Sequence, residues 1–525
     1  MPSDLLQGLR SDLAMRRIGS GMSRLDEYWG RHGRLNPSTS DAASLLCYIA
    51  QWVDLGWRDT DVIQAGLTAF PKGRRATLPV MDYACVLMAE GVVWVAEENV
   101  ERALNNFGLV LSLRAEVADP QILALAHFWS SRCNRKAGEY DHAMFHVAEG
   151  SRLALEAGAE PMAAAMKVAE SWLLFQKGRT KEALRMLSDA EGVLNRTDDY
   201  ITRGNIQSSY GRMYRREGRY DTALQHFAVA IEEYGKRDPE HRNLARSLAN
   251  MGYVERLIAL QLRKRIDAAA AERRRSEPDL RRQYEQVRSD ALAHLDRATA
   301  IYNIHSHHRG AGTVCVNRGH LYLDAGDLLK ADEEAAQAYS LGEQKKDAIL
   351  MARARLLECM VENSKLEEGI ESSAWVQRRA LEAARESVDL ARGTENRRLL
   401  ARALIWNGLT ICNTAPGGSL DTAREASEQA AALLRNEVHD HIWEDLQALK
   451  DKVVGKGTLD TRLLAWSQGV VDGRTFQQLT EDFADLIIPR VWEHESRKVA
   501  RVARRLSVSP KKVRRVLARV GLHGS

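Results

Sequence analysis

The chain has 525 residues, 45% of them hydrophobic and 28% charged, which is enough for several domains or one long repeat array. Eleven prolines and few aromatic residues argue against a β-sandwich, and no CxxC pair or GxxxxGK[ST] loop suggests a zinc or nucleotide site. No signal-peptide pattern or membrane-length apolar run occurs, so we expect a cytoplasmic protein with reduced cysteines.

The amino-terminal part of the chain lacks a clear repeat. We expect an atypical helical cap over residues 1–40, followed by a weak first repeat around Trp52, Trp57 and Phe70. The stretch Ile18–Met22 contains two glycines, but no lysine follows it, so it is interpreted as a loop and not as a nucleotide site.

A spacing of about forty residues dominates the middle of the chain. A glycine followed five residues later by an alanine recurs at Gly138/Ala143, Gly178/Ala183, Gly218/Ala223, Gly326/Ala331 and Gly418/Ala423. The first three of these alanines lie forty residues apart, and Ala103 and Ala291 continue the spacing. A fixed period of this length indicates stacked supersecondary units, each packing against its neighbours.

The clearest unit alternates small residues with large aromatic ones. Its pattern is Tyr210, Gly211, Tyr214, Gly218, Tyr220, Ala223, Phe227 and Ala230. This pattern resembles the tetratricopeptide (TPR) repeat, in which small residues sit where two helices touch and aromatic rings fill the gaps between them. The resemblance implies an all-α fold, a TPR-like α-solenoid of roughly forty-residue helical hairpins over residues 41–450.

One segment interrupts the forty-residue period. Between Ala223 and Ala291 the chain holds 28 residues more than one period, and the excess falls near residues 262–289. This segment is highly charged and rich in helix formers, with Pro278 as its single helix breaker. It predicts two extended, solvated helix ends that form a protruding hairpin.

Basic and aromatic residues recur on the first helices of three consecutive repeats, which line the concave groove in arrays of this kind. The sets are Arg132, Arg135 and Lys136, then Trp172, Phe175 and Gln176, then Arg212, Arg215 and Arg216. Spacings of three and four residues place each basic pair on one helix face. We expect a basic groove with an aromatic floor that binds a protein or acidic peptide partner. The alternative is a solvated face with local ion pairs.

Little in the sequence indicates catalysis. His305, His307 and His308 cluster near a repeat boundary, and His142 and His146 share a helix face, but no acidic or cysteine ligand stands beside them at metal-binding spacing. We interpret the first group as a surface loop. No nucleophile, metal or phosphate motif is present, so the sequence predicts no enzymatic activity, no cofactor and no metal.

The carboxyl end differs from the rest of the chain in charge. Residues 490–525 carry 11 Lys and Arg against two Asp and Glu, a net charge of +9, so the other residues carry −5. After a predicted linker over 451–474, a helix around Phe476–Ile487 leads to two short helices. The first buries Val499, Val502, Ala503 and Leu506; the second starts at Ser509 and Pro510, buries Val513, Val516, Leu517 and Val520, and ends at Gly521.

This terminal stretch, residues 475–525, resembles the helix-turn-helix of Fis and of bacterial enhancer-binding activators. It departs from that pattern at Val502, at Ser507 in place of the turn glycine, and at Lys512 in place of a threonine. The resemblance implies binding to double-stranded DNA. Ser509, Lys511, Lys512 and Arg515 would lie at the start of the recognition helix, and Arg501, Arg514 and Arg519 would contact phosphate. In that family the preceding helix pairs with its twin, which implies a possible homodimer.

Taken together, these features favour a bacterial, DNA-binding transcription regulator whose TPR-like array binds a protein or peptide partner. The alternative is a scaffold protein that assembles a complex through the array, with a basic tail that binds nucleic acid nonspecifically.

Overall fold

The computed structural model describes residues 3–272, 276–369, 374–414, 420–435, 440–457, 466 and 473–522. Throughout these residues the regular secondary structure is helical. The chain separates into two compact units, Met1–Leu449 and Lys450–Ser525.

The first unit contains the helices α1 (Asp4–Ala14), α2 (Ile18–His32), α3 (Ala42–Asp54), α4 (Asp61–Leu67), α5 (Val80–Ala96), α6 (Val100–Ser112), α7 (Pro120–Ala137), α8 (Tyr140–Glu156), α9 (Glu160–Gln176), α10 (Thr180–Leu194), α11 (Tyr200–Arg216), α12 (Tyr220–Arg237), α13 (Arg242–Ala271), α14 (Glu277–Ile304), α15 (His308–Asp324), α16 (Leu328–Gln344), α17 (Ala348–Glu367), α18 (Ala374–Arg392), α19 (Arg397–Thr414) and α20 (Leu420–Leu434). A short 3₁₀ helix spans Lys72–Thr77, and α21 (His441–Gly457) crosses the boundary between the two units.

Consecutive helices pair as antiparallel hairpins from α5/α6 to α19/α20, which confirms the predicted TPR-like solenoid. The forty-residue period has a direct structural counterpart, because α7, α9 and α11 begin at residues 120, 160 and 200. The predicted turn glycines Gly178 and Gly218 have φ of +79° and +76° between the two helices of their hairpins. Few residues other than glycine adopt such angles without strain.

The small residues of the repeat pattern lie at helix contacts. Ala143, Ala183, Ala223 and Ala331 are all fully buried. A Cβ atom on Gly211 would lie 2.8 Å from the ring of Phe227, so a larger residue at that position would push the two helices of the hairpin apart.

The amino-terminal cap is helical, and the interpretation of Ile18–Met22 as a loop was wrong. These residues form the first turns of α2. A Cβ atom on Gly21 would lie 2.2 Å from the Trp52 indole, so this glycine allows α2 to pack closely on α3. The sequence predicted a loop because glycine disfavours helices in isolation. In the folded chain Gly21 is needed within α2, because a larger residue would not fit against Trp52.

The insertion forms a long hairpin, as predicted. α13 has 30 residues and α14 has 28, against 17 or 18 in most helices of the array, and Pro278 lies in the first turn of α14. The helix ends are not fully solvated, because Leu262, Ile266, Ala269 and Leu280 form a small buried cluster between them.

The second unit contains α22 (Phe476–His494), α23 (Val499–Arg505) and α24 (Pro510–Arg519). α22 begins with a capping box formed by Thr475 and Gln478, in which each side chain bonds to the backbone of the other. Ile488 and Trp492 of α22 pack against the buried faces of α23 and α24.

The predicted domain limits overlap these two units in part. The array was expected to end at residue 450, close to the division after Leu449, but α21 continues to Gly457, into the expected linker. Most of the predicted linker lies outside the described residues, as does Gly418. Within the described part of the chain, no helix is both long and apolar enough to cross a membrane.

Candidate ligand-binding cavity and nucleic-acid interface

The array encloses a cavity of about 480 Å³, with walls formed mainly by the first helices of the hairpins from α7 to α19 and by the start of α21. Of the predicted groove residues, those that line it are Arg135, Lys136, Trp172, Phe175, Gln176, Arg212, Arg215 and Arg216. Arg132 lines a smaller adjoining cavity of about 160 Å³. The structure therefore brings together three residue sets that lie forty residues apart in the sequence.

Half of the basic lining of the larger cavity was not predicted from the sequence. Five more arginines, from α13, α15, α17 and α19, reach into it: Arg246, Arg309, Arg353, Arg398 and Arg402. Among the described residues, Asp440 is the only carboxylate in this lining. These arginines lie in the first two turns of their helices, whereas the compared positions lie in the second halves of α7, α9 and α11, which is why the repeat spacing did not identify them.

Some of these cations are neutralised or held by the protein itself. Arg309 forms an ion pair with Asp347, and Arg398 forms one with Asp440. Arg216 donates a hydrogen bond to the carbonyl oxygen of Phe175 at 2.9 Å, and its guanidinium lies 3.6 Å from the centroid of that ring. These three arginines are fixed parts of the wall.

Seven other cations have no carboxylate at ion-pair distance among the described residues: Arg135, Lys136, Arg212, Arg215, Arg246, Arg353 and Arg402. The side-chain hydrogen bonds that the arginines among them form go to neutral groups. Arg215 donates to Asn250 at 3.1 Å and stacks 4.9 Å from the Tyr253 ring, and Arg353 donates to the Thr313 hydroxyl at 3.3 Å. Among the described residues, the lining therefore has ten Lys and Arg side chains against one carboxylate, a large excess of positive charge.

Burial of this charge lowers several pKa values. Burial, with a smaller contribution from Arg402, lowers the pKa of Arg353 to about 10. The pKa of Lys136 falls to about 8, mainly because of burial, while nearby Glu98 partly offsets the effect. A cation whose pKa is depressed in this way gains stability when an anion binds beside it.

The interpretation of His305–His308 as a surface loop was wrong for two of the three histidines. Nδ1 of His308 is hydrogen-bonded to Glu98, and its Nε2 lies 3.4 Å from Asp347; Nε2 of His307 lies 3.6 Å from Glu98. Glu98 belongs to the α5–α6 turn, 210 residues away from His308 in the sequence. We call Glu98, His307, His308 and Asp347 the His308 clasp. Within the described residues, no group of side chains forms a metal site.

The terminal unit buries most of the apolar residues that the sequence predicts for its core. The prediction was wrong for Val520, which is 38% exposed because it lies just past the end of α24, and Leu506 is only half-buried. Val513 and Leu517 are fully buried, and Val502 is buried opposite them. The side chain of Ser509 accepts a hydrogen bond from the backbone N–H of Lys512 at 3.2 Å, which caps α24. The helix ends with Leu522 N–H bonded to the Leu517 carbonyl oxygen, around Gly521 at φ +77°.

The basic side chains of this unit differ in their availability. Lys511, Arg501, Arg514 and Arg515 are exposed, Lys512 is half-buried, and none has a carboxylate at ion-pair distance within the described residues. Arg519 differs, because it forms ion pairs with Asp485 and Glu481 of α22. Ser507 occupies the turn with φ +51°, the left-handed conformation for which the related pattern uses glycine.

No protein-family model matches the chain, and no curated protein matches it. Solved structures do. A Rap protein complexed with Competence and Sporulation Factor has a TM-score of 0.51 at 12% identity, covering 74% of this chain and 98% of that chain. The apo quorum sensor NprR from B. thuringiensis gives 0.45 at 11% identity, covering 74% and 97%. The human IFIT1 dimer with m7Gppp-AAAA gives 0.40 at 14% identity, covering 80% and 86%. The match to the Rap protein shows a shared fold of stacked, TPR-like helical hairpins.

Proposed function

We propose that this chain is a cytoplasmic, DNA-binding transcription regulator whose array binds an acidic peptide or protein segment. The observation that carries the proposal for the array is the set of seven cavity cations that have no carboxylate at ion-pair distance in the described part of the chain. Burying unpaired charge costs free energy, so a protein keeps such a set where a ligand of opposite charge repays that cost. The cavity also offers aromatic and amide groups, which suit an extended peptide.

The Rap protein that shares this fold is complexed with Competence and Sporulation Factor. A ligand-binding role for the present array agrees with that complex. The support for this role in the present chain comes from the charge and the lining residues of the cavity. Those features favour an acidic partner.

The DNA-binding part of the proposal is supported by the terminal unit. α23 and α24 bury their apolar sides against α22, so their basic sides are left exposed. An exposed basic helix that follows a short turn has the form that enters a DNA major groove. Lys511, Lys512 and Arg515, with Ser509 at the helix start, would face base edges, and Arg501 and Arg514 would contact phosphates. Arg519 would reach phosphate only by exchanging its ion pairs with α22.

Gel-shift titration of the full chain with DNA from its own promoter region tests this assignment. Lys512→Ala combined with Arg515→Ala should weaken binding about tenfold or more, because base contacts of this kind contribute about 1–3 kcal/mol each. Arg501→Ala with Arg514→Ala should instead reduce the steepness of the salt dependence by about 0.9 per lost phosphate contact.

Arg505→Ala is the matched control. Arg505 lies at the end of α23 and forms an ion pair with Glu495, so its loss should leave DNA affinity nearly unchanged. Unchanged binding by the Lys512→Ala, Arg515→Ala variant would contradict the assignment. Footprinting separates the regulator from the scaffold alternative, since a regulator protects a discrete site and a nonspecific tail gives diffuse protection.

A further inference from the structure

The two cavities of the array meet at a narrow group of side chains. Four residues line both of them: Arg135 of α7, Trp172 of α9, Arg212 of α11 and Arg246 of α13. We call these four residues the waist. Since they come from the first helices of four consecutive hairpins, the waist lies where the concave faces of these hairpins converge.

Three guanidinium groups lie in the waist, and their contacts are to neutral groups. The guanidinium of Arg135 lies 5.2 Å from the centroid of the Trp172 ring. Arg212 donates to the Ser208 carbonyl oxygen at 3.2 Å and to the Ser209 hydroxyl at 2.9 Å. Arg246 donates to Asn205 Oδ1 at 2.7 Å. The Nε atom of Arg246 is buried and has no hydrogen-bond partner among the described residues.

The three arginines are close enough to repel one another. Burial, followed by the charge of Arg246, lowers the pKa of Arg135 to about 9. Burial and then Arg246 also lower the pKa of Arg212, with a further contribution from Arg135. Each guanidinium lines both cavities and still has N–H groups beyond those used in these contacts. An anion bound there would relieve the repulsion and accept these hydrogen bonds.

We propose that the waist binds a phosphoryl group of the array's ligand. One carboxylate supplies a single negative charge and two oxygens, which leaves two of the three arginines unmatched. A phosphate monoester carries a charge of about −1.5 to −2 at neutral pH and three acceptor oxygens, one for each guanidinium. Arginine forms bidentate, charge-assisted hydrogen bonds with phosphate, which makes it well suited to this role. This inference rests on the proposed ligand-binding function of the array and names the chemistry of its ligand.

The phosphoryl group has two possible sources, a phosphorylated peptide or a small phosphorylated molecule. Calorimetric titration of the full chain at constant ionic strength distinguishes them with four probes: inorganic phosphate, citrate, an acidic peptide with one phosphoserine, and the same peptide with glutamate at that position. Tighter binding of the phosphoserine peptide than of phosphate identifies a peptide-borne group. Equal binding of the two identifies a small molecule.

Paired substitutions locate the site. Arg212→Gln with Arg246→Gln should weaken binding of phosphate or of the phosphoserine peptide about tenfold or more, as expected for the loss of hydrogen bonds to a charged group. Arg203→Gln is the matched control, because Arg203 lies on the same helix as Arg212, pairs with Glu233 and lines neither cavity. Arg246→Lys keeps the charge but loses the bidentate geometry, and should show an intermediate loss even if the double variant folds poorly.

Two results would overturn the phosphoryl assignment. One is equal affinity for the phosphoserine peptide and its glutamate counterpart, with phosphate binding no tighter than citrate. The other is unchanged phosphoryl binding by the folded waist variants. Either result leaves acidic-peptide binding by the array intact. If all four probes fail to bind, the proposed function of the array fails as well.

Discussion

Lys136 is the one lysine among the unmatched cations of the larger cavity. Its pKa of about 8 lies close to neutral pH, and the pKa of the neighbouring Arg135 is higher, about 9. At pH 7 about nine-tenths of the Lys136 amines carry a proton, and at pH 9 about one-tenth do. The positive charge of the cavity therefore declines across this range.

This titration predicts a pH-dependent affinity for acidic ligands. Binding of a fluorescein-labelled, glutamate-rich peptide, measured by fluorescence anisotropy, should weaken about fivefold from pH 7 to pH 9, because the peptide carboxylates stay ionised while Lys136 loses its proton. Lys136→Gln should bind more weakly at pH 7 and show a smaller change with pH.

Lys177→Gln is the control for this experiment. Lys177 follows α9, pairs with Asp141 and lines neither cavity, so its removal should leave the pH dependence as in the unmodified chain. An affinity that stays constant between pH 7 and pH 9 would show that Lys136 does not face the ligand.

At the scale of helices and turns, the His308 clasp joins elements that are distant in the chain. Burial alone would lower the pKa of His308, but the carboxylates of Asp347 and Glu98 outweigh burial and raise it. Burial would likewise raise the pKa of Glu98, but the hydrogen bond from His308 and the charge of that imidazole outweigh burial and lower it. Arg309 and Lys136 face the same cluster, which therefore holds interleaved positive and negative charges at neutral pH.

The sign of the pH effect follows from these shifts. Because the folded pKa of His308 is raised, its stabilising contribution is fully present below its unfolded value of about 6.5 and is lost as pH rises through the folded pKa. Because the folded pKa of Glu98 is lowered, its stabilising contribution is fully present above its unfolded pKa of about 4.3 and is lost as pH falls through the folded pKa. The clasp should be strongest between these limits, near pH 5–6.5.

Glu98→Gln tests the clasp. It should destabilise the array by about 1–3 kcal/mol at pH 6 and by less at pH 9, because the charge of the imidazole is lost as pH rises through the folded pKa of His308. Thermal unfolding of both proteins at the two pH values measures this difference. Glu139→Gln is the control, because Glu139 forms an exposed pair with His142 and should change stability little at either pH. A destabilisation that is the same at both pH values would rule out a charged His308.

At the scale of the whole molecule, α22 exposes an apolar strip that its own unit does not cover. Phe476 is 85% exposed and Phe483 48% exposed, with the half-buried Leu479 between them on the same helix face. Large exposed aromatic residues in a row are typical of protein–protein contacts. We expect two copies of the chain to associate through this strip and to place two α24 helices on a two-fold DNA site.

Phe476→Asp with Phe483→Asp should convert a dimer into a monomer in sedimentation experiments and weaken DNA binding, because a single small unit offers a limited interface. Phe145→Asp changes an equally exposed phenylalanine on α8 of the array, and should alter neither property. A monomeric unmodified chain at micromolar concentration would contradict the expected association.

The sequence predicted the hairpin array because its small and aromatic residues recur at a fixed spacing, which reports helix contacts directly. It also predicted the buried face of α24, from Val513 and Leu517, for the same reason. It missed Arg246 and Arg353, because they lie in the first two turns of their helices, whereas the positions compared between repeats lie in the second halves. It missed the partner of His308, because no local pattern reports contacts across two hundred residues.

The length of the α13–α14 hairpin has a practical consequence. At 1.5 Å per residue, α13 is about 45 Å long and α7 about 27 Å, so α13 is roughly 18 Å longer than a typical helix of the array. The tip encloses a small apolar cluster separate from the cavities. An engineer can therefore attach a fluorophore or affinity tag there and follow the protein in solution without obstructing either cavity.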